Sequence, residues 1–480
     1  MRPTATASPA VSWQERLYAA SSRATAPATG ATRPAVLIGA APAATDPTYA
    51  GALNGTPDPS SNDAITARAQ RNVTATDTQG LFTGLGQALL GRFAADGADF
   101  VADIPGAGDV DASMQLGIRT ASGATVKLSL SGTDSGLAIR LTSDRALADG
   151  ERDAVAGLAR AFQDAVDGLG KVPPSVSVDG LLAADASVLT RIDLDASVAT
   201  ASGAHMAVAL HAGGDTRSLK VDGPGGTVAL SLDMSQPASW GNRTQRDASV
   251  ASYLAQVDAA ARRGHADASL VALFKDGFAQ LNSHYPATPA AAALPGSVHN
   301  LSRGDHALLT GLADFKASIA QAASAPNPRH GDELDTFHFD VAQSTTLSGR
   351  NARDRHITQA QDSHLTASFH TSPWPDSPLN LTADPMAQNY NYTQIDDAAH
   401  ASTDLAYAKG QLASASVTHE ASQSTRVRKY MMAALIEDTT SPSHRQATRD
   451  LLPLLASSSA APDALHAAIQ LQADPARLNT

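Results

Sequence analysis

Cysteine is absent from the 480 residues. That excludes disulfide staples, thiolate nucleophiles and every zinc site built on sulfur. Aromatic residues make up only 4% and the 43% apolar fraction leans on alanine, so large side chains that anchor cores and interfaces are scarce. No stretch approaches the roughly 18 to 20 apolar residues of a membrane-spanning helix; the longest candidate near the start, Ala35-Val36-Leu37-Ile38, is far shorter, and membrane insertion is not expected. Lysine and arginine never form a block, and the net charge is -12. Duplex nucleic acid, which needs clustered cations, is therefore an unexpected partner. A charged segment followed by an apolar core and a small-residue cleavage site is also missing, which makes a cytoplasmic location the default expectation.

What is present divides the chain. Residues 1–76 are rich in Ala, Ser, Thr, Pro and Gly and read as a disordered arm, because they bury too little apolar area to offset ordering entropy. Up to Thr45 the only acid is Glu15, against Arg2, Arg16, Arg23 and Arg33. This acid-poor leader resembles those of substrates of needle-type secretion systems, which implies export without a classical signal peptide as the alternative location. Residues 77–284 read as an α+β domain. Leu81, Leu85, Leu89 and Phe93 share one helix face before Gly97. Alternation at Met114-Leu116-Ile118, Val126-Leu128-Leu130 and Leu137-Ile139-Leu141 predicts a first antiparallel meander. A helix over 150–167 follows, with Val155, Leu158, Phe162 and Val166 as its apolar stripe. A second meander begins at Ile192 and runs to Leu232, then a helical pattern from Gln245 to Leu281 breaks at Gly264. Thr120-Ala-Ser-Gly-Ala124 recurs as Thr200-Ala-Ser-Gly-Ala204, each inside a predicted hairpin.

Residues 285–298 form an Ala/Pro linker, and 299–480 read as a second α+β region ending in helices. Within it the spacing of Leu308, Leu309, Leu312, Phe315 and Ile319 predicts a helix from Asp305 to about Ala322. A polar β-like block spans 337–417. Helices are expected near 425–437, 442–455 and 462–471, the first carrying Tyr430, Met431, Met432, Leu435 and Ile436 as an apolar face able to meet a partner helix. The fold class expected is α+β, with antiparallel meanders packed against amphipathic helices behind a disordered arm.

The local cluster with most chemical content is His330-Gly-Asp332-Glu333-Leu-Asp335-Thr-Phe-His338-Phe-Asp340, followed by His356, His364 and His370. In a strand, His338 and Asp340 project from one face while Phe337 and Phe339 face the core. A divalent metal or an acid/base pair needs that juxtaposition, so His338, Asp340, His364 and His370 are the candidate ligands. The same alternation also arises on any half-buried strand with a wet outer face, and no His-Glu-x-x-His or other metalloenzyme spacing accompanies it. No serine sits in a nucleophile-elbow pattern, no glycine-rich stretch has the ending of a phosphate loop, and no cofactor is predicted. Arg303-Gly304-Asp305 matches an integrin-type tripeptide, but Asp305 stands where a helix cap is wanted. The composition has the Ala-rich cast of bacterial proteins. These features favour a non-enzymatic interaction protein with a protein partner. A metal-dependent hydrolase built on the 330–370 cluster is the alternative.

Overall fold

The computed structural model describes residues 63–106, 110–133, 135–171, 174–200, 203–286, 296–456 and 462–478. Their strands form one antiparallel sheet: β1 (Phe100–Pro105), β2 (Ala112–Thr120), β3 (Thr125–Thr133), β4 (Gly136–Ser143), β5 (Leu189–Ala199), β6 (His205–Gly213), β7 (Thr216–Gly223), β8 (Gly226–Asp233), β9 (Asp314–Gln321), β10 (Thr336–Gly349), β11 (Arg355–Thr371), β12 (Tyr390–Ala408), β13 (Gln411–Met431) and β14 (Ala434–Asp450). The spatial order is β1-β4-β3-β2-β5 and then sequential to β14. Both meanders and the polar block thus belong to a single sheet, and β8 pairs with β9 although residues 234–313 separate them. The repeated pentapeptide closes the β2–β3 and β5–β6 connections in the same way: Thr120 N–H donates to Ala124 O (2.9 Å) and Thr200 N–H to Ala204 O (2.7 Å).

Helices cover one face of the sheet. α1 (Ala64–Asn72), α2 (Thr78–Phe82), α3 (Leu85–Asp96), α4 (Asp149–Leu169) and α5 (Asp179–Leu182) precede β5, and α4 packs on β2 and β5. α6 (Arg243–Gly264) and α7 (Ala268–Leu281) lie over the middle strands. Here Met114, Leu128, Ile139, Leu194, Leu219, Leu230, Ile319 and Phe339 join Phe93, Phe162, Phe274 and Phe278 in one apolar core. Period-two strands and period-3.6 helices each bury one side, which is why this half follows its sequence pattern closely.

Several expectations are corrected. α1 falls within the stretch 1–76 read as a disordered arm; Asp63 caps it through the Thr66 N–H, and the arm up to residue 62 lies outside the described residues. The single helix expected across Leu81–Phe93 is split at Gly84, whose φ of 66° starts α3. β1 was not anticipated. The helix expected over 305–322 is instead the short α8 (Arg303–Ala307) followed by β9. Helical geometry ends at the Leu308 C-cap, and Phe315, Ala317 and Ile319 are buried on alternate positions of a strand. The helices expected at 425–437 and 442–455 are largely β13 and β14, which form a hairpin, with only the short α9 (Leu452–Ala456) at the end of the second; α10 (Pro462–Ile469) fits the third. Nearly every β14 residue is exposed, so no alternation of burial marked it as a strand.

Strands β10 to β14 are long, and the side they turn to the helices is held by polar contacts. The Tyr253 hydroxyl donates to Gln361 Oε1 at 3.0 Å, and Gln361 Nε2 donates to Ile469 O at 2.7 Å. Thr310 N–H donates to Gln359 Oε1 (2.8 Å), and Gln359 Nε2 to Thr345 Oγ1 (2.9 Å). Asp305 is fully buried against Arg355, receives the Tyr407 hydroxyl at 2.6 Å, and closes a capping box with Ser302. Ser302 is thus the cap and Asp305 its reciprocal partner.

Candidate functional site

The long strands converge at one end, where β10 begins, β11 ends, β12 begins, and β13 turns into β14. Beneath that end lies a sealed polar cluster. Glu333, 2% exposed, accepts hydrogen bonds from the hydroxyls of Tyr390 (2.8 Å) and Tyr430 (3.0 Å), and Arg428 stands 3.4 Å away. His370, on β11, places Nδ1 2.6 Å from Asp335 Oδ1 and Nε2 3.5 Å from Glu333. Tyr390 and Tyr430 occupy opposite positions on β12 and β13 and stack at 4.6 Å. Tyr392 donates to Leu334 O at 2.9 Å and lies under the Arg428 guanidinium.

Burial, and then the Glu333 carboxylate, push the Tyr390 and Tyr430 hydroxyls above the ordinary tyrosine range. Both remain neutral donors. With two hydroxyls and a guanidinium on it, Glu333 ties the segment before β10 to β12 and β13.

Exposed large apolar side chains gather at the same end. Seven large apolar side chains are exposed among the described residues, and all but Val101 belong to this end: Leu334, Trp374, Met386, Met432, Leu435 and Ile436. Met386, Met432 and Ile436 are each more than half exposed. The β13–β14 turn is held in a strained shape, with Met432 at φ 47° and Ala433 at φ 63°. A two-residue turn of this hand favours Asn-Gly, and each non-glycine residue in left-handed geometry costs about 1–2 kcal/mol. The loop before β12 compensates: Met432 N–H donates to Asn389 Oδ1 at 3.0 Å, Ala433 N–H to Gln388 O at 3.1 Å, and Asn389 Nδ2 to Met386 O at 2.7 Å.

The four residues singled out from sequence go to different places. His338 and Asp340 do share the open face of β10, and their side chains pair at 2.6 Å; the hydrogen bond to Asp340 raises the His338 pKa. His364 stands opposite Asp340 in the register but pairs with Asp396 on β12 at 2.8 Å. His370 belongs to the sealed cluster. Among the described residues no three His, Asp or Glu side chains converge closely enough to hold a metal ion. The open face instead carries side-chain pairs, a hydrogen bond between His400 and Asp362 at 2.7 Å and an ion pair of Arg426 with Asp438 at 2.6 Å.

Sequence reasoning named Tyr430 and the residues of the exposed turn but assigned them to a helix, and it missed Tyr390, Tyr392 and Arg428. The one available signal was Tyr390-Asn-Tyr392, an i, i+2 aromatic pair that shares a strand face. No protein-family model matches the chain, and neither a curated protein nor a solved structure matches it.

Proposed function

We propose that the chain is a non-enzymatic interaction protein that docks a protein partner on the apolar end of its long strands. The observation that carries this reading is the gathering of six of the seven exposed large apolar side chains at that end. In an alanine-rich chain with few aromatics, a concentration of this kind marks an interface, whereas apolar side chains scattered singly need no explanation. The sealed cluster beneath supplies rigidity: the turn is fixed from two sides before any partner arrives, so little ordering entropy is lost on docking.

The test is the triple variant Met432→Ser, Leu435→Ser, Ile436→Ser. These side chains support no core, so unfolding midpoints stay at the wild-type value while the size of the native complex, read by sedimentation in cell extracts, falls to that of the free chain. An unchanged complex overturns the proposal. The leader of residues 1–45, with four arginines and one acid, supports export without a signal peptide as the route by which the protein meets its partner. Secretion that persists after deletion of those residues removes that support.

A further inference from the structure

The helix-covered side of the long strands holds a second feature, a cleft of about 1120 Å³ between α6 and the C-terminal segment 466–478. Its α6 wall presents Ala248, Ser252, Ala255 and Ala259 at helical spacing, the opposite wall presents Ala467, Ala468 and Ala473, and Phe339 and Leu365 contribute apolar surface. Small side chains on both walls let an extended backbone approach closely.

Residues that line the cleft carry buried polar atoms that are unspent. Both amide atoms of Gln256 are buried with no hydrogen-bond partner among the described residues, as are Gln470 Oε1 and His419 Nδ1. His419 Nε2 lies 3.0 Å from Ala468 O and therefore carries the proton. Burial lowers the His419 pKa, so the ring is neutral and Nδ1 is an acceptor. Gln470 Oε1 is also an acceptor, while Gln256 offers a donor and an acceptor side by side, the complement of a peptide unit. Unpaired buried groups of this kind cost about 1–3 kcal/mol each until something satisfies them.

The charge of the cleft is opposite to that of the chain. Arg262, Arg263, Arg449 and Arg477 line it against Asp397 and Asp474, in a protein of net charge -12. Arg263 is committed to Asp397, and Arg477 stands 3.4 Å from Asp474. Arg262 and Arg449 have no carboxylate partner among the described residues, and both are exposed. The volume exceeds the ~300–1,000 Å³ of sites for single small ligands.

We infer that this cleft binds an extended acidic peptide, its backbone read by Gln256, His419 and Gln470 and its carboxylates by Arg262 and Arg449. The chain's own leader, rich in arginine, has the wrong charge for the role.

The experiment is fluorescence anisotropy on the full chain with a labelled alternating Glu-Ala octapeptide, and with its Lys-Ala counterpart as control. The Glu-Ala peptide binds saturably and the Lys-Ala peptide does not. Gln256→Leu weakens binding about tenfold, the loss of one satisfied polar contact. The Arg262→Glu, Arg449→Glu double variant, altered only at exposed positions and checked by its unfolding midpoint, weakens it further. Three results overturn the inference: no saturable binding, binding that both variants leave unchanged, or displacement by free glutamate or inorganic phosphate as effective as by unlabelled peptide, which makes this a small-anion site.

Discussion

The two halves of the sheet solve the same problem with different chemistry. From β1 to β8 the strands are short, 6 to 11 residues, and the helix-facing positions are Leu, Ile, Val and Met packed on phenylalanines. From β10 to β14 the strands run 14 to 21 residues, and the corresponding positions include Gln343, Thr345, Gln359, Gln361 and Thr403, all buried. Apolar burial is non-directional and tolerates repacking. A buried amide network satisfies each group only in one arrangement, and a half-satisfied one is costly. The short-stranded half is therefore a folding core, and the long-stranded half is a rigid platform whose far end and cleft are set in place by directional bonds.

The largest effect that separates the halves is expected at Arg355. Arg355→Met strands the fully buried Asp305, and loss of one partner of a buried pair costs about 3–5 kcal/mol. Urea unfolding measures it, and Asp305→Asn in the same chain recovers part of the loss because the uncompensated charge is gone. In the apolar half, Leu128→Ala costs about 2–5 kcal/mol and lowers stability with no selective release of any segment. Gln361→Leu gives the contrasting result. It leaves Ile469 O and the Leu471 N–H without their partner and the Tyr253 hydroxyl with Gln343 Oε1 alone, at 3.2 Å, costs about 1–3 kcal/mol, and makes residues 462–478 the first site of proteolysis.

A smaller effect depends on pH. Burial raises the Asp314 carboxyl from 3.8 to about 6 despite hydrogen bonds from Thr345. A carboxyl whose folded pKa lies above its unfolded value stabilises the fold fully below the unfolded value and loses that contribution as pH rises through about 6. Asp314→Asn is thus expected to raise stability by about 1–2 kcal/mol at pH 7.5 and to leave it unchanged at pH 3.5. Unfolding curves at the two pH values check the sign. The smallest effect belongs to the apolar end, where the triple serine variant shifts stability by less than about 0.5 kcal/mol, as exposed positions do.

The same contrast explains what the sequence disclosed. Alternation at Met114, Leu128 and Ile139 and the periodic stripe of α4 expose the first half, because burial there is written in apolar side chains. In the second half the buried side is made of residues that also populate surfaces, so Gln359 and Gln361 look no different from solvated ones. β14 has nothing to alternate, and Tyr430 through Ile436 imitate a helix face while forming a turn. His338 and Asp340 were placed on one strand face as expected. The Glu333 cluster was only half legible, since its tyrosines and Arg428 lie 57 to 97 residues away in the chain, and only strand register brings them together.

The central claim is that the apolar end is where a partner docks. Its most direct test is a photo-crosslinking amino acid placed at Met432 in the native cell, compared with the same group at Thr418 on the open face and at Val101 beside the opposite edge. The account predicts a discrete crosslinked protein from position 432 alone, lost when Leu435 and Ile436 are serine. Equal crosslinking from all three positions, or none from 432, contradicts it.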